Sequence, residues 1–211
     1  MAAKKKDTPG ASAARRAGLE AVRQQQARAE RRRSLLFWTA GLSVLVLIAG
    51  VVGFTIWRDK KNTPSLAAVQ SFTYEGGAHT DQSVTYAQNP PVGGEHANAW
   101  LNCGVYDQPV PNESAVHSLE HGAVWVTYDP ALAAADVATL RAAIPSTYMV
   151  LSPMSGLPAP VVASAWGKQI ELTGASDPRL EEFIKAYRQG PQTPEPGAAC
   201  TGGIDAPGKV A

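Results

Sequence analysis

An uncharged apolar run near the amino terminus constrains the structure of this chain most. It covers residues 35–57, reads LLFWTAGLSVLVLIAGVVGFTIW and contains no charged side chain. Because a helix rises about 1.5 Å per residue, a run of this length can cross a hydrocarbon core of roughly 30 Å. Trp38 and Trp57 lie near its two ends, and indole rings favour the membrane–water interfaces. We therefore predict one transmembrane helix over residues 35–57 that contacts the lipid bilayer.

A cleaved signal peptide is the alternative interpretation of this run. The apolar region of a signal peptide spans only about 7–15 residues. Here the apolar run has 23 residues, a long basic segment precedes it, and Arg58 follows it directly. An anchor that remains in the chain agrees better with the sequence.

The charges on the two sides of this run differ in sign. Residues 1–34 contain ten basic and three acidic residues, a net charge of +7, whereas residues 62–211 contain six basic and fourteen acidic residues, a net charge of −8. Basic residues concentrate on the cytoplasmic side of membrane proteins. The sequence therefore predicts a single-pass protein of the cell membrane, with a cytoplasmic amino terminus and its carboxyl-terminal domain outside.

The basic arm, residues 1–34, has two candidate partners. Anionic lipid headgroups attract basic residues that lie next to a membrane span. Nucleic acid is the alternative, but no aromatic residue precedes Phe37 to stack on a base. We therefore expect lipid contact and no nucleic-acid binding, on an arm that is disordered or partly helical.

Composition indicates three segments after the apolar run. We predict a stalk at residues 58–69, an extracytoplasmic domain at residues 70–202 and a short tail at residues 203–211. A domain of this length is large enough for one hydrophobic core.

Hydrophobic periodicity and turn residues predict an α+β fold for this domain. The predicted strands and helices do not alternate regularly along the chain, which favours a small, largely antiparallel sheet with two or three helices over a doubly wound sheet. The predicted elements are strands at 71–74 and 83–86, a helix at 113–121, a strand at 123–128, a helix at 129–144, strands at 147–151, 161–166 and 169–172, and a helix that opens at Asp177 and ends at Gly190.

The two cysteines, Cys103 and Cys200, both follow the predicted membrane span. Exported domains fold under oxidising conditions, so an even number of cysteines predicts a disulfide between them. The alternative is a thiolate metal ligand at Cys103.

The four histidines of the chain fall within one span of 43 residues: His79, His96, His117 and His121. Positions four apart share one face of a helix, so His117 and His121 can bring two imidazoles to one ion. His96 follows a Gly-Gly turn and is a candidate third ligand, and His79 is a further candidate. Imidazole suits copper and zinc. We therefore hypothesise a copper or zinc site in the extracytoplasmic domain.

Structural roles are the alternative for these histidines. A histidine in the last turn of a helix, such as His121, interacts favourably with the helix dipole and the free carbonyl groups. His117 would then be a half-buried side chain with one hydrogen bond.

A zinc hydrolase is a second functional alternative. His117-x-x-Glu120-His121 matches the H-x-x-E-H pattern, in which the glutamate is the general base. Gly122 follows at once, which predicts a helix too short for that class. We therefore favour a protein without catalytic residues; if the protein is an enzyme, Glu120 is the candidate base. The candidate third ligands downstream are Glu171, Glu181, Glu182 and Glu195.

The remaining hypothesis is a metal-free module that binds a protein partner in the cell envelope. Trp100 lies in turn-rich sequence and is a candidate exposed anchor. Trp125 and Trp166 fall on predicted strands, where we expect core positions.

The extracytoplasmic sequence resembles the bacterial domain-of-unknown-function family 3105. The residues that carry the resemblance are Asn89-Pro90-Pro91, Gly94-x-His96, Trp100-x-x-Cys103-Gly104-Val105-Tyr106, Pro109-Val110, Glu113, the run VHSLEHGAV at 116–124, Ser164-Ala165-Trp166-Gly167 and Cys200. The resemblance covers most of residues 70–202. It implies a membrane-anchored or exported protein and supplies no established activity.

Overall fold

The structure is a computed structural model that describes residues 9–210. Residues 1–8 of the predicted arm and residue 211 of the predicted tail lie outside the described residues. The chain divides into two compact units, Met1–Asn62 and Thr63–Ala211.

One long helix, α1, forms the described part of the first unit. It extends over Pro9–Asn62 and joins the basic arm, the apolar run and the start of the predicted stalk without a break. By length and composition this helix can cross a membrane, and its apolar side chains are exposed.

The second unit is built on a seven-stranded sheet with the order β1-β8-β7-β5-β6-β4-β9, accompanied by a two-stranded sheet β2-β3. The elements are β1 (Gln70–Ser71), β2 (His79–Thr80), β3 (His96–Ala97), β4 (Gly104–Tyr106), α2 (Asn112–Glu120), β5 (Val124–Tyr128), α3 (Ala134–Ala143), β6 (Met149–Pro153), β7 (Val161–Ala165), β8 (Lys168–Leu172), α4 (Arg179–Tyr187) and β9 (Lys209–Val210). β5–β6 and β4–β6 are parallel, and the other neighbours in the large sheet are antiparallel. The predicted α+β class with a largely antiparallel sheet and three helices is confirmed.

The large sheet is covered on both faces because its central strands alternate between two apolar cores. Val124 and Val126 of β5 pack in one core with residues of α3 and α4, whereas Trp125 between them packs in the other core with residues of α2. Side chains alternate across a strand, so one continuous apolar strand supplies both cores.

Helix α4 follows the predicted pattern closely. Leu180, Phe183 and Ile184 are buried at helical spacing. Asp177 precedes the helix, and its carboxylate accepts hydrogen bonds from the backbone N–H groups of Arg179 and Thr173, both at 3.0 Å. The bond from Arg179 satisfies a donor that lacks a partner at the start of the helix.

Three predicted elements differ from the structure, of which the first, the strand at 71–74, is replaced by β1 at Gln70–Ser71. Helix α3 begins at Ala134 because Asp129 instead forms a turn, in which its carboxylate accepts the N–H of Ala131. No strand forms at residues 83–86, where the N–H of Val84 donates to the Glu113 carboxylate rather than to a strand.

The predicted Cys103–Cys200 disulfide is present, with the two Cα atoms 5.4 Å apart. It joins the start of β4 to the segment that follows α4. That segment also donates hydrogen bonds to the carboxyl-terminal end of α2, because the backbone N–H of Gln189 donates to the carbonyl of Gly122 and that of Glu195 donates to the carbonyl of Glu120. Beyond Cys200, β9 lies within the predicted tail and pairs with β4.

Candidate metal centre

Helix α2 carries two of the four clustered candidate ligands, His117 and Glu120. It ends at Glu120, and Gly122 follows with φ of 97°, a left-handed conformation that glycine adopts without strain. Seven of its nine residues are buried, so polar side chains as well as apolar ones leave water here. Val116 and Leu119 pack into the core beside Trp125. The other side of α2 packs on β3 and presents His117 and Glu120 there.

His117 and His121 lie side by side, as their spacing predicts, with their Nε2 atoms 3.0 Å apart. The Nδ1 atom of His117 lies 2.7 Å from the carbonyl oxygen of Ala97, and that of His121 lies 2.6 Å from the carbonyl oxygen of Ala199. A carbonyl only accepts, so each Nδ1 carries the proton and donates. In the neutral imidazoles each Nε2 then has a lone pair, and the two Nε2 atoms face each other.

His96 is fixed in the same way. Its Nδ1 donates to the carbonyl of Gly94 at 2.8 Å, and its Nε2 lies 2.9 Å from Oε2 of Glu120. Both side chains are fully buried. The other carboxylate oxygen of Glu120 accepts the backbone N–H of Gly77.

His79 completes the arrangement from β2. It is the register partner of His96 in the parallel β2–β3 pair, and its Nε2 lies 3.8 Å from Oε2 of Glu120. Its side chain is 32% exposed, so the cluster reaches solvent at this residue. The ligand atoms of His79, His96, His117 and Glu120 all lie within 4.8 Å of one another, and these four residues could hold a metal ion.

Sequence reasoning and structure differ on two members. Glu120 belongs to this four-residue cluster, although the sequence indicated only a supporting or catalytic carboxylate. His121 lies beside the cluster and contacts His117 and Oε2 of Glu195, the latter at 3.4 Å. Among the four downstream glutamates, Glu195 has a described ion-pair contact with a histidine, whereas Glu171 hydrogen-bonds to Gln70.

Burial lowers the pKa of His117, and the neighbouring imidazoles of His121, His96 and His79 lower it further, while the hydrogen bond to Ala97 opposes this shift. The imidazole is therefore held neutral, which is the form that binds metals.

Other predicted ligands and anchors lie elsewhere. Cys103 is in the disulfide, so it offers no thiolate. Trp125 and Trp166 are core residues, as predicted. Trp100 is half-buried and packs against the histidines, with its ring centroid 5.8 Å from that of His117 and 5.1 Å from that of His121.

Fold and site together define an α+β domain with a buried histidine–glutamate cluster, in a chain that also contains a long apolar helix. The family model described as a protein of unknown function (DUF3105) matches residues 78–202, and the chain belongs to this family. The matched range includes the whole cluster and both cysteines.

A second family model, described as an inhibitor of host cell division protein domain, matches residues 13–74, less than half of the chain. No curated protein and no solved structure matches the chain.

Proposed function

We propose that this chain is a single-pass membrane protein whose extracytoplasmic domain binds a transition-metal ion through His79, His96, His117 and Glu120. The observation that carries the proposal is the orientation of the buried imidazoles. His96 and His117 each donate Nδ1–H to a backbone carbonyl and direct Nε2 into the cluster. Metal-binding histidines are fixed in this way, since the bond at one nitrogen sets the tautomer and orients the other.

The spacing of the donors fits one ion. Zinc bonds of about 2.0–2.1 Å to nitrogen or oxygen place neighbouring donors of a tetrahedron roughly 3.3 Å apart. The Glu120 carboxylate oxygen lies 2.9 Å from Nε2 of His96 and 3.8 Å from Nε2 of His79, on either side of this value. The four donor atoms all lie within 4.8 Å of one another, so side-chain movements of up to about 1.5 Å would bring them to this spacing.

The donor set favours Zn²⁺ or Cu²⁺ over Cu⁺. Three imidazoles and one carboxylate supply nitrogen and oxygen donors, which suit divalent ions, whereas Cu⁺ prefers thiolate and thioether sulfur. The disulfide withdraws both cysteines; Met149 packs in the core on the α4 side of the sheet, and Met154 packs among apolar residues in the core on the α2 side.

The competing explanation is a metal-free cluster in which hydrogen bonds alone join these side chains. The lone pair of His96 faces a carboxylate oxygen, and the lone pairs of His117 and His121 face each other. Each of these two contacts requires an added proton in the absence of a cation. The desolvated imidazole of His117 disfavours protonation, so a bound cation accounts better for the geometry.

A hydrolase is less well supported than metal binding alone. A general base has to reach a water molecule. Both carboxylate oxygens of Glu120 have partners, and the side chain is fully buried. Zinc-dependent peptidase activity that disappears in Glu120→Gln would support the hydrolase instead, and equal weak metal binding by wild type and variants would favour the metal-free partner module.

The location outside the membrane is part of this proposal. The charge difference between the segments before and after the apolar run supports a cytoplasmic arm that contacts anionic lipid headgroups. The disulfide supports an oxidising compartment for the domain. In intact spheroplasts, external protease is expected to digest residues 63–211 and spare the arm; protection of the domain would contradict this topology.

Metal titration tests the site directly. The full-length chain in detergent, after treatment with a chelator, is titrated with Zn²⁺ and Cu²⁺ by calorimetry. We expect one ion per chain, and an affinity loss of more than about 100-fold in His96→Asn/His117→Asn, because loss of a ligand exceeds loss of a supporting group. The asparagine amide can still donate to the carbonyls of Gly94 and Ala97, so the fold is retained.

Glu181→Gln, which alters an exposed glutamate on α4, is the matched control and should bind as wild type does. Equal binding by wild type and the double variant would overturn the proposal.

A further inference from the structure

We infer that His121 and Glu195 form an outer metal position that exchanges the ion with the buried cluster, on the side away from the exposed His79, with His117 as the residue shared by both positions. This inference rests on the proposed function. It assigns a role to two residues that lie beside the four-residue cluster and outside it.

The donor atoms of the outer position converge. Nε2 of His121 lies 3.4 Å from Oε2 of Glu195 and 3.0 Å from Nε2 of His117. Because Nδ1 of His121 donates to the carbonyl of Ala199, Nε2 is the nitrogen of this imidazole that is left to bind an ion. Two imidazole nitrogens and one carboxylate oxygen can thus approach one ion.

Exposure drops sharply from the first donor to the next two. The side chain of Glu195 is 47% exposed, whereas that of His121 is 4% exposed and His117 is buried as well. An ion that meets the acidic Glu195 in water can therefore exchange its water ligands stepwise for His121 and then for His117.

The outer position is held in place by the backbone rather than carried on a free loop. The N–H of Glu195 donates to the carbonyl of Glu120 at 3.2 Å. The same segment ends at Cys200, whose disulfide and backbone hydrogen bond fix it to Cys103. Glu195 is thus attached to the residue at the centre of the buried cluster.

The two positions exclude each other because His117 has one available lone pair. An ion at the outer position with His117 has three protein donors and leaves the buried cluster with three. An ion in the buried cluster has four donors, including Glu120. The ion should therefore reside in the buried cluster and occupy the outer position only during exchange.

Tryptophan residues near the histidines allow the kinetics of metal binding to be followed by intrinsic fluorescence. The indole of Trp100 packs against His117 and His121, and that of Trp166 lies 5.7 Å from His96 between ring centroids. Bound Cu²⁺ quenches nearby indole fluorescence, so stopped-flow mixing of the full-length chain with Cu²⁺ measures association. Mixing the loaded chain with excess chelator measures dissociation.

The informative variants are His121→Asn, whose amide can still donate to the carbonyl of Ala199, and Glu195→Gln. We expect each to slow both association and dissociation about tenfold, while the equilibrium Kd changes by less than a factor of about three. Rates that fall together at constant Kd are what loss of a pathway produces, because a pathway accelerates both directions equally. Glu181→Gln is the control and should leave both rates unchanged.

Other outcomes overturn the inference. Unchanged rates would refute the outer position without contradicting the buried site. A drop in association alone would indicate electrostatic attraction by Glu195 without transfer. An increase in Kd as large as that of the His96→Asn/His117→Asn variant would make His121 a permanent ligand. Absence of stoichiometric uptake by the wild type would instead refute the proposed function itself.

Discussion

Two helices of equal length, α2 and α4, cover opposite faces of the sheet and bury different chemistry. Each has nine residues. Helix α4 is a conventional amphipathic helix that buries three apolar residues and leaves Glu181 and Lys185 exposed. Helix α2 buries His117, Ser118 and Glu120 together with its apolar residues.

Burying ionisable groups costs free energy unless partners satisfy them. At α2 the partners come from the turn before β2, from β3 and from the segment after α4, namely backbone groups of Gly77, Ala97 and Ala199. The residues that α4 buries therefore stabilise the fold. Those that α2 buries include ionisable groups, whose burial costs free energy and which form the candidate site. The following changes should separate these two roles.

Phe183→Ala should have the largest effect on stability. Phe183 is fully buried in the core beneath α4, and truncation of a buried phenylalanine costs about 3–5 kcal/mol. The free energy of unfolding, followed by near-ultraviolet circular dichroism in urea, should fall by this amount. Zn²⁺ affinity measured below the transition should be unchanged; a large loss of affinity would show that the two faces are not separable.

Removal of the disulfide should come next. Cys103→Ala/Cys200→Ala opens a loop closed across 97 residues, at a cost of about 2–5 kcal/mol. Unlike Phe183→Ala, this change should also slow Cu²⁺ association and dissociation, because Ala199 next to Cys200 accepts the hydrogen bond of His121. Stopped-flow fluorescence tests this, and rates equal to those of wild type would contradict it.

Glu120→Gln should affect function and leave stability nearly unchanged. The glutamine can still accept the N–H of Gly77 and can donate to the lone pair of His96, while the buried negative charge is removed. Metal saturation at 100 times Kd raises the stability of the wild type by about 2.7 kcal/mol, and this increase should be largely lost.

Thermal unfolding with and without Zn²⁺ measures the effect of Glu120→Gln. Glu113→Gln is the matched control on the same helix, since Glu113 accepts the N–H of Val84 and lies outside the cluster. An equal loss of the zinc effect in both variants would argue against a specific role for Glu120.

Asp177→Asn should have the smallest effect, about 1 kcal/mol, because it weakens the start of α4. The hydrogen bonds from Arg179 hold the pKa of Asp177 well below its usual range despite the opposing effect of burial. The carboxylate therefore stabilises the fold above about pH 4, and this contribution is lost as the pH falls toward the lowered pKa. Urea unfolding at pH 7 and pH 3 should show a smaller difference between wild type and variant at pH 3; a constant difference would contradict it.

Local chemistry made much of this structure predictable. Gly122 marked the end of α2, the spacing of Leu180, Phe183 and Ile184 marked α4, and the H-x-x-x-H spacing brought His117 to His121. These features depend on residues a few positions apart, and the sequence displays them directly.

The remaining features depend on contacts distant in the chain. The pairing of His79 with His96 comes from two-residue strands that carry no periodic signal. Glu195 reaches His121 because the disulfide and hydrogen bonds return the segment after α4 to α2. Sequence analysis could not predict which backbone carbonyls orient the imidazoles, since every residue has a carbonyl.

Every histidine of the chain is at this one place: three have ligand atoms in the cluster, and the fourth contacts His117. Selective isotopic labelling of histidine, in a chain without a histidine tag, would therefore give a magnetic-resonance spectrum with no background from elsewhere. Each ring nitrogen signal would report the tautomer and the occupancy of this site alone.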